Sequence, residues 1–328
     1  MSAVVSEEIE RAAQLLRTGA LIGFPTETVY GLGADARNGD AVRRIFEVKG
    51  RPAEHPVIVH LADAQLLPRW AREVSARAEA LAEAFWPGPL TLILPRAPSV
   101  LDVITGGQDS VGLRVPAHPI AHALLTRLLE LGSDGIAAPS ANRFGRISAT
   151  NARHVGDEFG DEIALVLDGG ASRHGIESTI VDLSIGDPVL LRPGAITIDA
   201  LRRVLGVAPQ LGSAGSPRAS GTLAAHYAPS TPARLVAPEA LSDTISSLTR
   251  QSYRKAIAVL ARSIAKPAQF TGFWIAAPEQ SKPYAQGLYA NLRALDARGA
   301  DEIWIETPPD EPDWVAVNDR LRKATHRP

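Results

Sequence analysis

Cysteine is absent from all 328 residues. A disulfide framework, a thiolate zinc site, an iron–sulfur cluster and a cysteine nucleophile are thereby excluded. Charge of one sign is missing too: 34 Lys+Arg stand against 36 Asp+Glu, a formal net charge of −2. That balance argues against a protein held to nucleic acid or to a membrane surface by bulk positive charge, and leaves room only for a local basic cleft. Aromatics make up 5% of the chain, too few for an extended base-stacking platform. No apolar run approaches the roughly 18 residues of a membrane span. The opening MSAVVSEEIERAAQLL carries glutamates where a secretory leader would carry a basic start and an apolar run, so a cytoplasmic protein is expected. Also lacking are GxxxxGK[ST], GxGxxG after a strand, HExxH and GxSxG. Any nucleotide site must be built another way.

What remains is an ordinary globular composition, 45% hydrophobic and 21% charged, enough for a substantial core. Ser6 is a candidate N-cap for a first helix with Ile9, Ala13 and Leu16 on one face, ended by Gly19. Short apolar strands then alternate with helical patterns as far as about residue 207. This predicts an α/β layer fold with a partly parallel sheet. From about 208 the texture changes to APQLGSAGSPRASGTLAAHYAPSTP, rich in Ser, Gly, Ala and Pro. It reads as a linker too polar to join a core. Periodic patterning resumes near 232 as a second, smaller α/β unit. The expected division is 1–207, a linker or lid at 208–231, and 232–328.

Six segments concentrate polar groups among apolar ones. FPTETVYGLG (24–33) places two threonines and a glutamate beside glycines that let backbone approach a ligand. FEVKGRPAEHPVIVHL (46–61) holds Lys49 and Arg51 around Gly50, two cations on a loop stiffened by Pro52, which suits a polyphosphate. It would equally suit a helix C-terminus. VGLRVP (111–116) puts Arg114 inside an apolar strand, where it must pair with a structural carboxylate or with an anionic ligand. PSANRFGRIS (139–148) follows a strand end, where α/β sheets bind ligands. GIESTIVD (175–182) and LLRPG (190–194) supply Ser178 and another strand-end cation, Arg192.

In this order the segments resemble the YrdC family of threonylcarbamoyl-AMP synthases. The carriers are PTETVYGLG, Lys49–Gly50–Arg51–Pro52, Ser140–Ala141–Asn142, Glu177–Ser178–Thr179 and Leu191–Arg192–Pro193–Gly194. HYAP at His226–Pro229, followed by a further domain, resembles the long, two-domain form. The resemblance implies an open twisted mixed sheet with a concave cleft, plus a smaller C-terminal Rossmann-like α/β domain. It implies the reaction of L-threonine, bicarbonate and ATP to threonylcarbamoyl-AMP and pyrophosphate, with Mg2+ arriving on ATP. The product would serve the modification of adenosine 37 of tRNA, through a tRNA threonylcarbamoyl transferase complex. By resemblance, Thr28, His60, Arg114, Ala138 and Ser178 surround threonine. Arg51, His55, Ser110, Ser140, Ser148, Arg192 and Tyr227 surround ATP. Lys49, Arg51, Ser140 and Asn142 form the catalytic set. His55 stands where many relatives carry asparagine, and SGTLAAHYAP departs from the usual linker lead-in.

No covalent enzyme intermediate is required, which agrees with the missing nucleophile motifs. Two other readings of the same cleft are an RNA-binding protein and a carbamoyltransferase. The acidic balance before residue 232 and the scarcity of aromatics speak against the first, leaving only weak RNA affinity. The lack of cysteine speaks against the second, whose relatives resemble fusions with cysteine-rich zinc modules.

Overall fold

The computed structural model describes residues 3–213, 215–223, 225–250 and 256–326. It divides into two compact units: residues 1–144 with 148–222, and residues 145–147 with 223–328.

The first unit is built on a ten-stranded mixed sheet. Its strands are β1 (Ile22–Phe24), β2 (Gly31–Asp35), β3 (Ile58–His60), β4 (Leu90–Pro95), β5 (Ser110–Arg114), β6 (Ile136–Ala137), β7 (Leu165–Val166), β8 (Thr179–Asp182), β9 (Val189–Arg192) and β10 (Gln210–Leu211). Their order across the sheet is β10-β9-β8-β4-β5-β3-β6-β2-β1-β7. β3 runs parallel to β5 and β4 parallel to β8, whereas β4 and β5 are antiparallel. The mixed α/β sheet anticipated from the sequence is therefore present. β2 was not anticipated, because its two glycines read as a ligand-approach loop. A Cβ on Gly31 or Gly33 would lie 2.8–3.0 Å from the Phe24 ring, so glycine here admits an aromatic side chain against the strand.

Side chains alternate across each strand, and the alternation sorts this sheet into two environments. Val59, Leu92, Leu94, Val111, Leu113 and Val181 enter the main core. Their neighbours Ile58, Ile93 and Ile180 face the other way and form a small separate cluster. Register then places His60 on the face of Ile58, and Arg114 opposite His60. Thr91 shares the face of Ile93 and pairs with Ile180. Polar groups and this minor cluster thus share one face of the sheet.

The minor cluster also holds Ala219, which is buried. The stretch from 208 was expected to be too polar to join a core. It joins one because a single small apolar side chain fits among three isoleucines.

The second unit has a four-stranded parallel sheet of β11 (Ala233–Val236), β12 (Ile257–Ala261), β13 (Phe273–Ala276) and β14 (Glu302–Glu306), in the order β11-β14-β12-β13. Leu241, Ile245, Ile257, Val259, Phe270 and Trp304 are buried together on it. Helices Pro238–Arg250, Ser281–Asp296 and Val315–Thr325 separate or follow the strands. The parallel order and intervening helices match the Rossmann-like expectation.

Candidate active site

Lys49 and Arg51 are placed by a helix and its terminus. Asn38 caps helix Gly39–Lys49 by accepting from the N–H groups of Asp40 and Ala41. Gly50 ends it in the left-handed region at φ 62°, which glycine enters without steric cost. The chain then turns so that Lys49 and Arg51 are both buried, at 3% and 7% exposure.

Their partners differ. The Lys49 ammonium donates to the carbonyl of Ser140 at 2.7 Å and to that of Asn142. Burial first, and the neighbouring Arg51 second, pull its pKa well below the ordinary lysine value. Lys49 therefore grips the Ser140–Asn142 turn from beneath. That turn is also stitched to the FPTETVYG segment: Ser140 bridges Gly31, and the Ala141 N–H donates to the Tyr30 carbonyl at 2.8 Å. The Asn142 amide donates to the Arg143 carbonyl at 2.7 Å. Arg51 donates through Nη2 to the Pro56 carbonyl at 2.9 Å and to Ser220 Oγ at 3.1 Å. His55 packs edge-on against Phe144, and burial followed by Arg51 lowers its pKa.

Arg114 resolves the alternatives left open by its sequence in an unexpected way. Nη2 donates to Glu27 Oε1 at 2.6 Å, and Nε donates to the Gly88 carbonyl at 3.2 Å. Glu27 Oε2 accepts from the Ala117 N–H at 3.0 Å. Both residues are about 5% exposed. Burial alone would raise the Glu27 pKa, but the charge and hydrogen bond of Arg114 hold it below the ordinary value. Arg114 is thus oriented by a structural carboxylate on one edge, and among the described residues no protein acceptor takes Nη1. His60, beside it in register, is pushed down to about 3 by burial first and by Arg114 second. Its imidazole is neutral at pH 7, and its buried Nδ1 has no hydrogen-bond partner among the described residues.

Thr26 Oγ1 donates to the Val29 carbonyl at 2.6 Å and lies 2.8 Å from Thr28 Oγ1. With its own hydrogen spent on Val29, Thr26 accepts from Thr28. Ser148 donates to Glu177 Oε1 at 2.5 Å. Arg192 donates through Nε to the Ser178 carbonyl at 3.0 Å, through Nη2 to Ser178 Oγ at 3.0 Å, and through Nη1 to the Ser220 carbonyl at 2.8 Å. Ser178 Oγ lies 2.8 Å from Thr91 Oγ1. Arg51 and Arg192 therefore converge on one residue, Ser220, which offers each of them an oxygen.

Hydrogen bonds join Lys49, Arg51, Arg114, Ser140, Asn142, Ser148, Ser178 and Arg192 to neighbouring site segments, whereas Thr28 bonds to Thr26 within its own segment. Ala138 is fixed by its N–H to the Ile58 carbonyl at 2.9 Å. Ser110 starts β5, four residues before Arg114, or about 13 Å along an extended strand. Tyr227 falls in the second unit, buried at 1% exposure and stacked on Tyr289 at 5.6 Å. Its φ of 62° is left-handed, which a bulky residue adopts only under constraint.

Residues 14–194 match the Sua5/YciO/YrdC family, described as "Telomere recombination", and residues 196–325 match one described as "Threonylcarbamoyl-AMP synthase, C-terminal domain". The chain is 41% identical to the threonylcarbamoyl-AMP synthase of Pyrococcus abyssi, covering 97% of this chain and 94% of that protein. It is 38% identical to the protein of that name from Bacillus subtilis, covering 97% and 92%. The crystal structure of P. abyssi Sua5 complexed with L-threonine superposes with a TM-score of 0.89 at 39% identity, over 97% of this chain and 94% of that one.

The chain belongs to the Sua5/YrdC family, in its long two-domain form. Its enzymatic class is that of the threonylcarbamoyl-AMP synthases.

Two residues around this site, Ser220 and Thr91, are not singled out by the sequence, and the glutamate that is, Glu27, is not paired there with Arg114. Glu27 could have been paired with Arg114, since two opposite charges in apolar segments require one another. Ser220 lies in the stretch read as a linker or lid. Thr91 gave no signal, because LTLIL is apolar on both sides of a buried strand.

Proposed function

We propose that the first unit converts L-threonine, bicarbonate and ATP into threonylcarbamoyl-AMP and pyrophosphate. The observation that carries this reading is the convergence of Arg51 and Arg192 on the oxygens of Ser220, on the same sheet face as Arg114. Two guanidinium groups meeting at one point suit a chain of phosphates, and a third with Nη1 left over suits a carboxylate.

In this reading the threonine nitrogen attacks the carbon of bicarbonate. A C–N bond forms and water leaves, giving a carbamate. A carbamate oxygen then attacks the α-phosphorus; that O–P bond forms, and the bond to the β-phosphate bridging oxygen breaks. Pyrophosphate departs with the electron pair. The protein's part is to position and to neutralise. Arg114 holds the threonine carboxylate, with Thr28, Ala138, Ser178 and the neutral His60 around the amino acid. Arg51 and Arg192 take phosphate oxygens, Ser140 and Ser148 supply hydroxyls, and Lys49 keeps the Ser140–Asn142 turn in place. Mg2+ enters as part of the ATP complex. The donor set here, guanidinium and hydroxyl, fits phosphate oxygens, and among the described residues no cluster of three His, Asp or Glu could hold a bare ion.

The product is a mixed anhydride, an activated acyl donor suited to transfer onto an amine. We place that transfer on adenosine 37 of tRNA, through a separate transferase, in the cytoplasm. The test is pyrophosphate release from ATP. Release that requires threonine and bicarbonate together supports the reading; release indifferent to either one overturns it.

A further inference from the structure

Thr91 lies on β4 with its side chain completely buried. Among the described residues its hydroxyl has one hydrogen-bond partner, Ser178 Oγ at 2.8 Å. Ser178, also buried, receives a second hydrogen bond from Arg192 Nη2 at 3.0 Å. An arginine can only donate, so one lone pair of Ser178 is committed.

Two arrangements of the hydroxyl hydrogens are possible. If Ser178 donates to Thr91, the Thr91 hydrogen stays permanently buried without an acceptor, which is costly. If Thr91 donates to Ser178, both Ser178 lone pairs are filled, and the one hydrogen left over is Ser178's own. A ligand oxygen placed against Ser178 then satisfies every group in the chain Thr91–Ser178–ligand. No ligand satisfies the reverse order.

We infer that Thr91 is a positioning residue that fixes the polarity of Ser178, making it a hydrogen donor to an oxygen of the amino-acid substrate. This rests on the reading that Ser178 faces threonine. It deepens that reading: Ser178 recognises an acceptor oxygen, of carboxylate or hydroxyl, and has no lone pair for an ammonium group. The Arg192 contact makes the same hydroxyl the atom that joins the amino-acid and phosphate sides of the site.

The experiment is calorimetric titration of the full chain with L-threonine and, separately, with ATP. Thr91→Val keeps the shape and removes the donor. It should weaken threonine binding about three- to tenfold, the worth of one oriented neutral hydrogen bond, and change ATP affinity less than about twofold. Thr91→Ser, which restores the hydroxyl, should bind like the parent. In a Ser178→Ala background, Thr91→Val should cost nothing further, because the two act as one unit; a merely structural role would give losses that multiply. If Thr91→Val does not fold, Thr91→Ala takes its place with the same expectations. Unchanged threonine affinity in the Thr91 variants, with clear loss in Ser178→Ala, overturns the inference and leaves the functional reading standing. A parent protein that binds no threonine overturns that reading and the inference with it.

Discussion

Arg114 and Glu27 meet at 2.6 Å, each about 5% exposed, and the pairing consumes one edge of the guanidinium. A buried ion pair of this kind is vulnerable to the loss of either member, since the survivor is left charged and unpaired. Arg114→Ala should therefore lower unfolding free energy by about 3–5 kcal/mol as well as abolish threonine binding. The double variant Arg114→Met, Glu27→Gln should recover most of the stability and none of the binding. Urea denaturation beside threonine titration separates these effects. A double variant as unstable as Arg114→Ala would refute the charge-pair account.

Lys49 makes a different prediction from the one its sequence suggested. A cation on an exposed helix end could be truncated cheaply, but this ammonium is buried and holds two carbonyls. Lys49→Met should cost about 1–3 kcal/mol through the carbonyls left unmade, visible as a lower melting temperature together with a fall in adenylate formation. An unchanged melting temperature with lost activity would return Lys49 to direct phosphate contact.

His60 predicts a pH dependence. Its pKa falls from the ordinary histidine range to about 3 on folding, because burial disfavours the cation and Arg114 repels it. Between those limits the unfolded chain holds a proton that the folded chain does not, so stability declines as pH falls and is unaffected above the unfolded pKa. The slope is on the order of 1.4 kcal/mol per pH unit. Glu27 adds nothing above about pH 5, since its stabilisation is lost only as pH falls below the ordinary carboxylate range. His55 and His118 shift the same way as His60. The difference between the parent and His60→Gln therefore isolates this residue. Denaturation at pH 7 and pH 5 should show the parent losing about 2 kcal/mol more than His60→Gln; parallel losses would disprove the assignment.

The Ser220 contacts bear on the linker. Ser220 holds Arg51 and Arg192 through oxygens that phosphate oxygens would replace. Arg218, two residues earlier, is anchored by its N–H to Gln108 Oε1 at 2.7 Å and by its guanidinium to the Gly106 carbonyl at 2.9 Å. If ATP takes the two arginines, this segment loosens, and tryptic cleavage after Arg218 should accelerate on adding ATP alone. Cleavage slowed or unaltered by ATP would show that Ser220 and phosphate do not compete.

Much of this arrangement was legible in the residues, for identifiable reasons. Lys49–Gly50–Arg51 is local: a helix, its glycine stop and the two flanking cations occupy consecutive positions. Arg114 stood out because a guanidinium in an apolar strand demands a partner. Its carboxylate lies 87 residues away, and nothing in the local pattern points there. Thr91 was hidden for another reason. A strand buried on both faces has no polar alternation, so the side of LTLIL that carries chemistry looks like the side that carries the core. The buried positions of the 208–231 stretch, Ala219 and Tyr227 among them, leave no periodic trace.

His60 and Arg114 face one another across two parallel strands held in register. Alternation along β5 leaves Ser110, Gly112 and Arg114 on one side, and Val111 and Leu113 on the other. A deletion or insertion of one residue inside this strand would carry the guanidinium to the aliphatic side and bring a leucine to the place it left. Strand length here is consequently as constrained as residue identity. Variation in chain length between relatives should accumulate in the connecting loops, whereas the interval from Ser110 to Arg114 stays fixed.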